Sequence, residues 1–243
     1  MQCTYISVAF LCLATNKEIE LEKPAEIDEI LRDGTELFFA HCKDEPKYLT
    51  IDELSPEIVV RGTLYKQHLY EALTGLIETK QSESFSLTFS LSDALTKAFS
   101  VASACYVTMH KTSELSESPA YTHAVVNRDN RFMFFDSHGR NTDGLSSVSG
   151  VAVLLEMESV ASLVTHIEKL AKSLCLSINS PFEVIPVDIA ADGQIPRSEL
   201  LMSMAKNAGL PKGADCSGLL QSTLGIQASS VSGSSLVSGF GKI

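Results

Sequence analysis

A cysteine and an Asp-x-His pair are the residues of this 243-residue chain best suited to nucleophilic catalysis. Cys3 heads the apolar run Cys3-Thr-Tyr-Ile-Ser-Val-Ala-Phe-Leu-Cys-Leu-Ala14. At this length the run predicts a helix buried on every side. A cysteine at such a helix start lies among free N–H groups and the positive end of the helix dipole, which favour the thiolate, the form that attacks carbonyls. Asp136 and His138 close the stretch Arg131-Phe-Met-Phe-Phe-Asp-Ser-His-Gly139. Two positions apart on a strand, they share a face, so the carboxylate can orient the imidazole as a base. On their own, three residues are also what a polar strand end before a glycine turn looks like. His123, in Thr122-His-Ala-Val-Val126, is an alternative base.

The elements around these residues decide between the two histidines. Thr122–Asn127 and Arg131–Phe135 read as a hairpin around Arg128-Asp129-Asn130. A three-residue loop pairs Asn127 with Arg131 and turns His123 away from Asp136. A two-residue loop, Asp129-Asn130, pairs Arg128 with Arg131 and sets His123 opposite Asp136. The second register puts two arginines face to face and needs φ > 0 at two residues that are not glycine. The three-residue register, with His138 as base, is therefore expected.

Further helices are predicted after Pro24, carried by Ile27, Ile30, Leu31 and Phe38 and ending near His41, with Gly34 a weak point of about 1 kcal/mol. Tyr65, Leu69, Leu73, Leu76 and Ile77 make another helical stripe. A third has Leu91, Leu95 and Phe99 on its face and Ser92 as cap. Val160 to Leu174 fits a fourth at every apolar position. A short strand or extended segment is expected at Tyr48–Leu54, strands at Tyr106–Met109, Gly150–Met157 and Phe182–Ile189, and an exposed loop at 110–120. Helices early and strands late imply an α+β domain over residues 1–191 with a largely antiparallel sheet. Residues 192–243 form a Ser/Gly-rich tail whose composition does not offset its ordering entropy. A thiol on a buried first helix, with His and Asp on later strands, is the layout of a papain-like thiol hydrolase.

The net charge of −11 argues against nucleic acid as a main partner and suits a basic one. Cys3, Cys12, Cys42, Cys105, Cys175 and Cys216 are scattered, without CxxC or zinc spacing. That pattern implies a reducing compartment and thiols that are mostly buried small hydrophobes. Tyr5–Ala14 has the length of a signal-peptide core, but no Lys or Arg precedes it and the cleavage pattern is poor. It is too short to span a membrane.

Gln2-Cys3 heading an apolar helix, Tyr48-Leu-Thr-Ile-Asp-Glu-Leu-Ser55, and Phe134-Phe-Asp-Ser-His-Gly-Arg140 before Gly150-Val-Ala-Val-Leu-Leu155 resemble the deubiquitinase domain of the herpesvirus large tegument protein. They also resemble related cellular and mobile-element cysteine peptidases. The similarity runs from Gln2 to about Ile189, with Phe-Asp-Ser-His-Gly-Arg its specific part. By position the resemblance implies a triad of Cys3, His138 and Asp136. It further implies cleavage after the C-terminal glycine of ubiquitin or a ubiquitin-like modifier, without cofactor or metal, inside the cell in cytoplasm or nucleus. The family carries a glutamine upstream of its cysteine that completes the oxyanion hole. Here only Met1 and Gln2 precede Cys3, and Gln2 matches a different position, so weak turnover is expected. Two alternatives follow: an inactive ubiquitin-binding relative, or a papain-like hydrolase of another substrate with His123 as base.

Overall fold

The computed structural model describes residues 2–15, 24–42, 50–77, 88–111, 120–177 and 179–193. Among them, helix α1 is Cys3–Thr15 and α2 is Pro24–His41. Strands β1 (Glu57–Val60), β2 (Thr63–Leu69) and β3 (Leu73–Leu76) follow, then α3 (Leu91–Val101). The rest is β4 (Ala104–His110), β5 (Ala120–Arg128), β6 (Arg131–Arg140), β7 (Val151–Met157), α4 (Val160–Ser173) and β8 (Pro181–Ala191). The strands form one antiparallel sheet in the order β1-β2-β8-β4-β5-β6-β7, with β3 also paired to β8.

Strand alternation divides the core in two. Tyr106, Ala124, Phe135 and Val187 face one side of the sheet, where α1 and α2 pack. Their neighbours Val107, Val125, Phe134 and Val184 face the other, against α3 and α4. Because both faces are covered, β4 is buried at six consecutive positions, Ala104 to Met109. Helix α1 is enclosed from Thr4 to Ala14, as its continuous apolar sequence requires. Phe10 stacks on Phe135 with ring centroids 4.5 Å apart. Gly34 has a packing role. A Cβ there would lie 2.3 Å from the Cα of Ile6, so the missing side chain lets α2 close onto α1.

Several expectations need correction. The stripe from Tyr65 to Ile77 is not a helix. In β2, Tyr65 and Gln67 point inward while Thr63, Lys66 and His68 are exposed, a period of two that coexists with the i, i+4 spacing. Arg61 and Gly62, with φ of 50° and 77°, turn β1 into β2, and β8 supplies the distant pairing partner that no local pattern reveals. Three short strands thus precede α3, although among the described residues of the first half α1, α2 and α3 still hold more residues than the strands. Ile51–Glu53 is a 3-10 turn, closed by a capping box between Thr50 and Glu53, where a short strand or extended segment was expected. Ser90, not Ser92, caps α3, its Oγ accepting from the Asp93 N–H. The β5–β6 turn has two residues: Asp129 and Asn130 take φ of 51° and 67°, and Arg128 pairs with Arg131. The Asn130 N–H bonds to Asn127 Oδ1, and Arg131 turns out to Glu156, so the like charges do not oppose one another alone. The expected loop at 110–120, apart from its ends, and the tail beyond 193 lie outside the described residues.

Candidate active site

The β6 strand changes its behaviour at Asp136. Up to that point β6 pairs regularly with β7, Asp136 opposite Val153; the next partner is Arg140 opposite Val151. Four steps along β6 match two along β7, a bulge that ejects Ser137–Gly139 from the ladder. Inside it Asp136 makes a local turn, with Oδ1 accepting from the His138 backbone N–H at 2.9 Å and from ring Nδ1 at 2.7 Å. Nδ1 therefore carries the proton, which leaves Nε2 for Cys3, whose hydrogen bond to His138 helps set both groups' protonation. Tyr121 meets the His138 ring edge to face at 5.3 Å.

Helix α1 delivers Cys3 from the other side. Its first rung runs from the Ile6 N–H to the Gln2 carbonyl at 3.0 Å, so the Cys3 N–H lies ahead of the ladder. Ser7 on the next turn reaches the Thr122 carbonyl at 3.4 Å, and the Thr122 backbone also hydrogen-bonds Cys3. Burial alone would push the Cys3 thiol up; the hydrogen bond and charge of His138, with help from Thr122, reverse this and bring it down to about 7. Burial would lower His138, but its bonds to Asp136 and Cys3 raise it to about 9. Cys12 and Cys105, buried with no such partner, are pushed up by desolvation.

His123 occupies a different place. Strand alternation turns Thr122 toward α1 and His123 toward α4, where it stacks on Phe134 at 5.3 Å and is fully buried. Its Nδ1 lies 3.2 Å from the Val107 carbonyl, and its Nε2 lies 3.1 Å from Asp136 Oδ2. The second approach is off the line of a well-formed hydrogen bond. The two-residue turn thus sets His123 opposite Asp136 but on the far side of the carboxylate from Cys3. His138 reaches Cys3 because the bulge frees it from the strand's alternation.

Arg140 is the residue that sequence reasoning missed. Its Nε donates to Asp136 Oδ2 at 2.5 Å and its Nη1 to the Gly139 carbonyl at 3.2 Å, with the side chain almost fully enclosed. On a regular strand, positions i and i+4 lie roughly 13 Å apart. The bulge folds Arg140 back, and Gly139 and Gly150 were its available signals. A Cβ at Gly150 would sit 2.3 Å from the Arg140 nitrogen. Asp136 lies well below the usual carboxylate range although burial opposes it; the charge and close approach of His123 and the hydrogen bond and charge of His138 account for the shift.

One donor atom each from His123, Asp136 and His138 lies within 4.8 Å of the others, a spacing a metal ion could use. The residues do not suit one. Asp136 Oδ2 is taken by a guanidinium, beside which a divalent cation would be repelled.

Residues 1–184 match the family described as the herpesvirus tegument protein, N-terminal conserved region. The chain belongs to this family. No curated protein matches the sequence. Among solved structures, the chain is similar to the ubiquitin-specific protease encoded by murine cytomegalovirus tegument protein M48, crystallised with a ubiquitin-based suicide substrate. The TM-score is 0.58 at 16% identity, over 90% of each chain. A weaker likeness, at TM-score 0.38 and 12% identity, joins 76% of this chain to 90% of the Pseudomonas avirulence protein AvrPphB. The papain-like α+β fold expected from the sequence is the fold observed. No helix among the described residues is long and apolar enough to cross a membrane.

Proposed function

We propose that this tegument-family domain is a cysteine protease that hydrolyses the bond after the C-terminal glycine of ubiquitin or a ubiquitin-like modifier. Cys3 is the nucleophile, His138 the general acid–base and Asp136 the orienting carboxylate. The observation that carries the reading is the polarised chain from Asp136 Oδ1 through His138 Nδ1 at 2.7 Å to the thiol of Cys3, lowered to about 7. His138 Nε2 takes the thiol proton and the thiolate attacks the carbonyl carbon. As the tetrahedral adduct collapses to the thioester, the imidazolium returns the proton to the leaving amine. Water, deprotonated by the same imidazole, then hydrolyses the thioester. Cys3's own N–H, ahead of the α1 ladder, is one donor for the oxyanion.

Family membership and the shared fold with the murine cytomegalovirus protease support ubiquitin as substrate. A thiolate nucleophile also suits the reducing, intracellular setting that the scattered cysteines imply. Hydrolysis of ubiquitin carrying a C-terminal fluorogenic amide tests the reading. Turnover by the parent and none by Cys3→Ser is the expected result. Ubiquitin binding without turnover would make the chain an inactive binder, and no interaction at all would point to another substrate class.

A further inference from the structure

Two histidines flank one carboxylate, so something must decide which of them it serves. Asp136 Oδ1 faces His138, and Oδ2 faces both His123 and Arg140. An unrestrained carboxylate would divide itself between the two imidazoles. Here Oδ2 has one well-aligned donor, the Arg140 Nε at 2.5 Å, while the His123 Nε2 approaches at 3.1 Å without good alignment. The guanidinium is itself fixed by the Gly139 carbonyl and by the bulge, and the lack of a side chain at Gly150 leaves room for its backbone.

From this geometry we propose that Arg140 is a positioning residue: by occupying Asp136 Oδ2 it locks the carboxylate's orientation, commits Oδ1 to His138 and keeps His123 out of the proton relay. The inference rests on the proposed hydrolase chemistry of Cys3 but not on the identity of the substrate. A guanidinium suits the task because it is permanently charged and planar, so it fixes direction as well as charge. The groups that bear on Asp136, directly or through another side chain, lie on four elements. His138 and Arg140 are on β6, and His123 is on β5. His166, buried on α4, touches the electrostatics of both Asp136 and Arg140. Cys3 on α1 acts through His138. Removing Arg140 takes away a cation, which by itself would favour protonated His138. It also frees the carboxylate to leave His138, which has the opposite effect. The second effect dominates, because the charge of Arg140 is already matched by Asp136 at contact distance.

Two readouts separate positioning from packing. The first is the pH dependence of Cys3 alkylation by iodoacetamide, which needs no ubiquitin. The second is steady-state hydrolysis of the fluorogenic ubiquitin substrate. For Arg140→Gln, the alkylation midpoint moves to higher pH and kcat falls by roughly 10- to 100-fold with KM little changed, a fraction of what a general base supplies. Arg140→Lys, which keeps the charge but loses the fork, falls between the two. In the Asp136→Asn background, Arg140→Gln adds no further loss, because its effect passes through that carboxylate. The proposal is overturned if a folded Arg140→Gln or Arg140→Lys protein keeps the parental alkylation profile and kcat, or if the losses with Asp136→Asn simply add. If Arg140→Gln does not fold, the Lys variant alone decides by the same criteria. Failure of ubiquitin hydrolysis by the parent, with the alkylation shift intact, would sink the substrate assignment and leave the role of Arg140 standing.

Discussion

At the scale of single residues, the proposed chemistry depends on one proton shared between Cys3 and His138. The pair loses its first proton near 7 and its second near 9, because the Cys3 thiol is lowered and the His138 imidazolium raised. Thiolate and imidazolium coexist between those values. The rate of ubiquitin hydrolysis should rise as pH climbs through about 7 and fall again above about 9, where the imidazolium can no longer protonate the leaving amine. A pH–rate profile of kcat/KM checks this, and a profile flat from pH 6 to 10 would contradict it. His138→Ala should lose at least 100-fold, the scale of a missing general base. His123→Ala should keep Cys3 reactivity within about tenfold, since His123 lies on the opposite side of Asp136 from Cys3. It should still melt several degrees lower, because a fully buried ring is replaced by a cavity worth roughly 2–4 kcal/mol. Cys3, Asp136 and His138 were singled out by residue type together with the family resemblance, because Asp-x-His alone also fits a polar strand end before a glycine turn, and the structure brings the three side chains together. Arg140 was not, since its contact with Asp136 exists only through a bulge, and pairing irregularities leave little trace beyond Gly139 and Gly150.

At the scale of elements, periodicity was informative where one segment held all the determinants of its structure. The enclosed α1 and the amphipathic α2 and α4 follow directly from their apolar spacing. Strands β2 and β3 were misread because their leucines and tyrosine also fit a helical stripe, and the deciding partner, β8, lies more than 100 residues away. The β5–β6 turn was misjudged for a different reason. Local costs argued against two left-handed residues, but Asn127 and Glu156 offset those costs from outside the turn. That turn makes a prediction. Asn130 already adopts φ of 67°, so Asn130→Gly should stabilise the domain by a few tenths to about 1 kcal/mol in urea unfolding, glycine having no steric cost there. Gly34 makes the opposite one. Gly34→Ala, favourable by helix propensity alone, should destabilise by about 1–3 kcal/mol or more, because its Cβ would strike the α1 backbone at Ile6. A neutral or stabilising result would mean the two helices separate more easily than their packing implies.

At the scale of the whole molecule, the sheet works as a partition. Helix α1 brings the thiol along one face, α4 backs His123 and Phe134 on the other, and the β6 bulge at Asp136 carries His138 to the thiol. This division places the two histidines on opposite sides of one carboxylate, and on the proposed mechanism only His138 serves Cys3, a question that the order of residues along the chain leaves open. The central claim is that Cys3, activated by His138, attacks the C-terminal carbonyl of ubiquitin. It is tested most directly by incubating the protein with ubiquitin whose C-terminal glycine carries a vinyl methyl ester, followed by peptide mapping of any adduct. The account predicts a single covalent adduct on Cys3, formed near neutral pH, lost in His138→Ala and retained in His123→Ala. An adduct that survives His138→Ala but vanishes in His123→Ala, or the absence of any adduct on a folded protein that still reacts with iodoacetamide at Cys3, would contradict it.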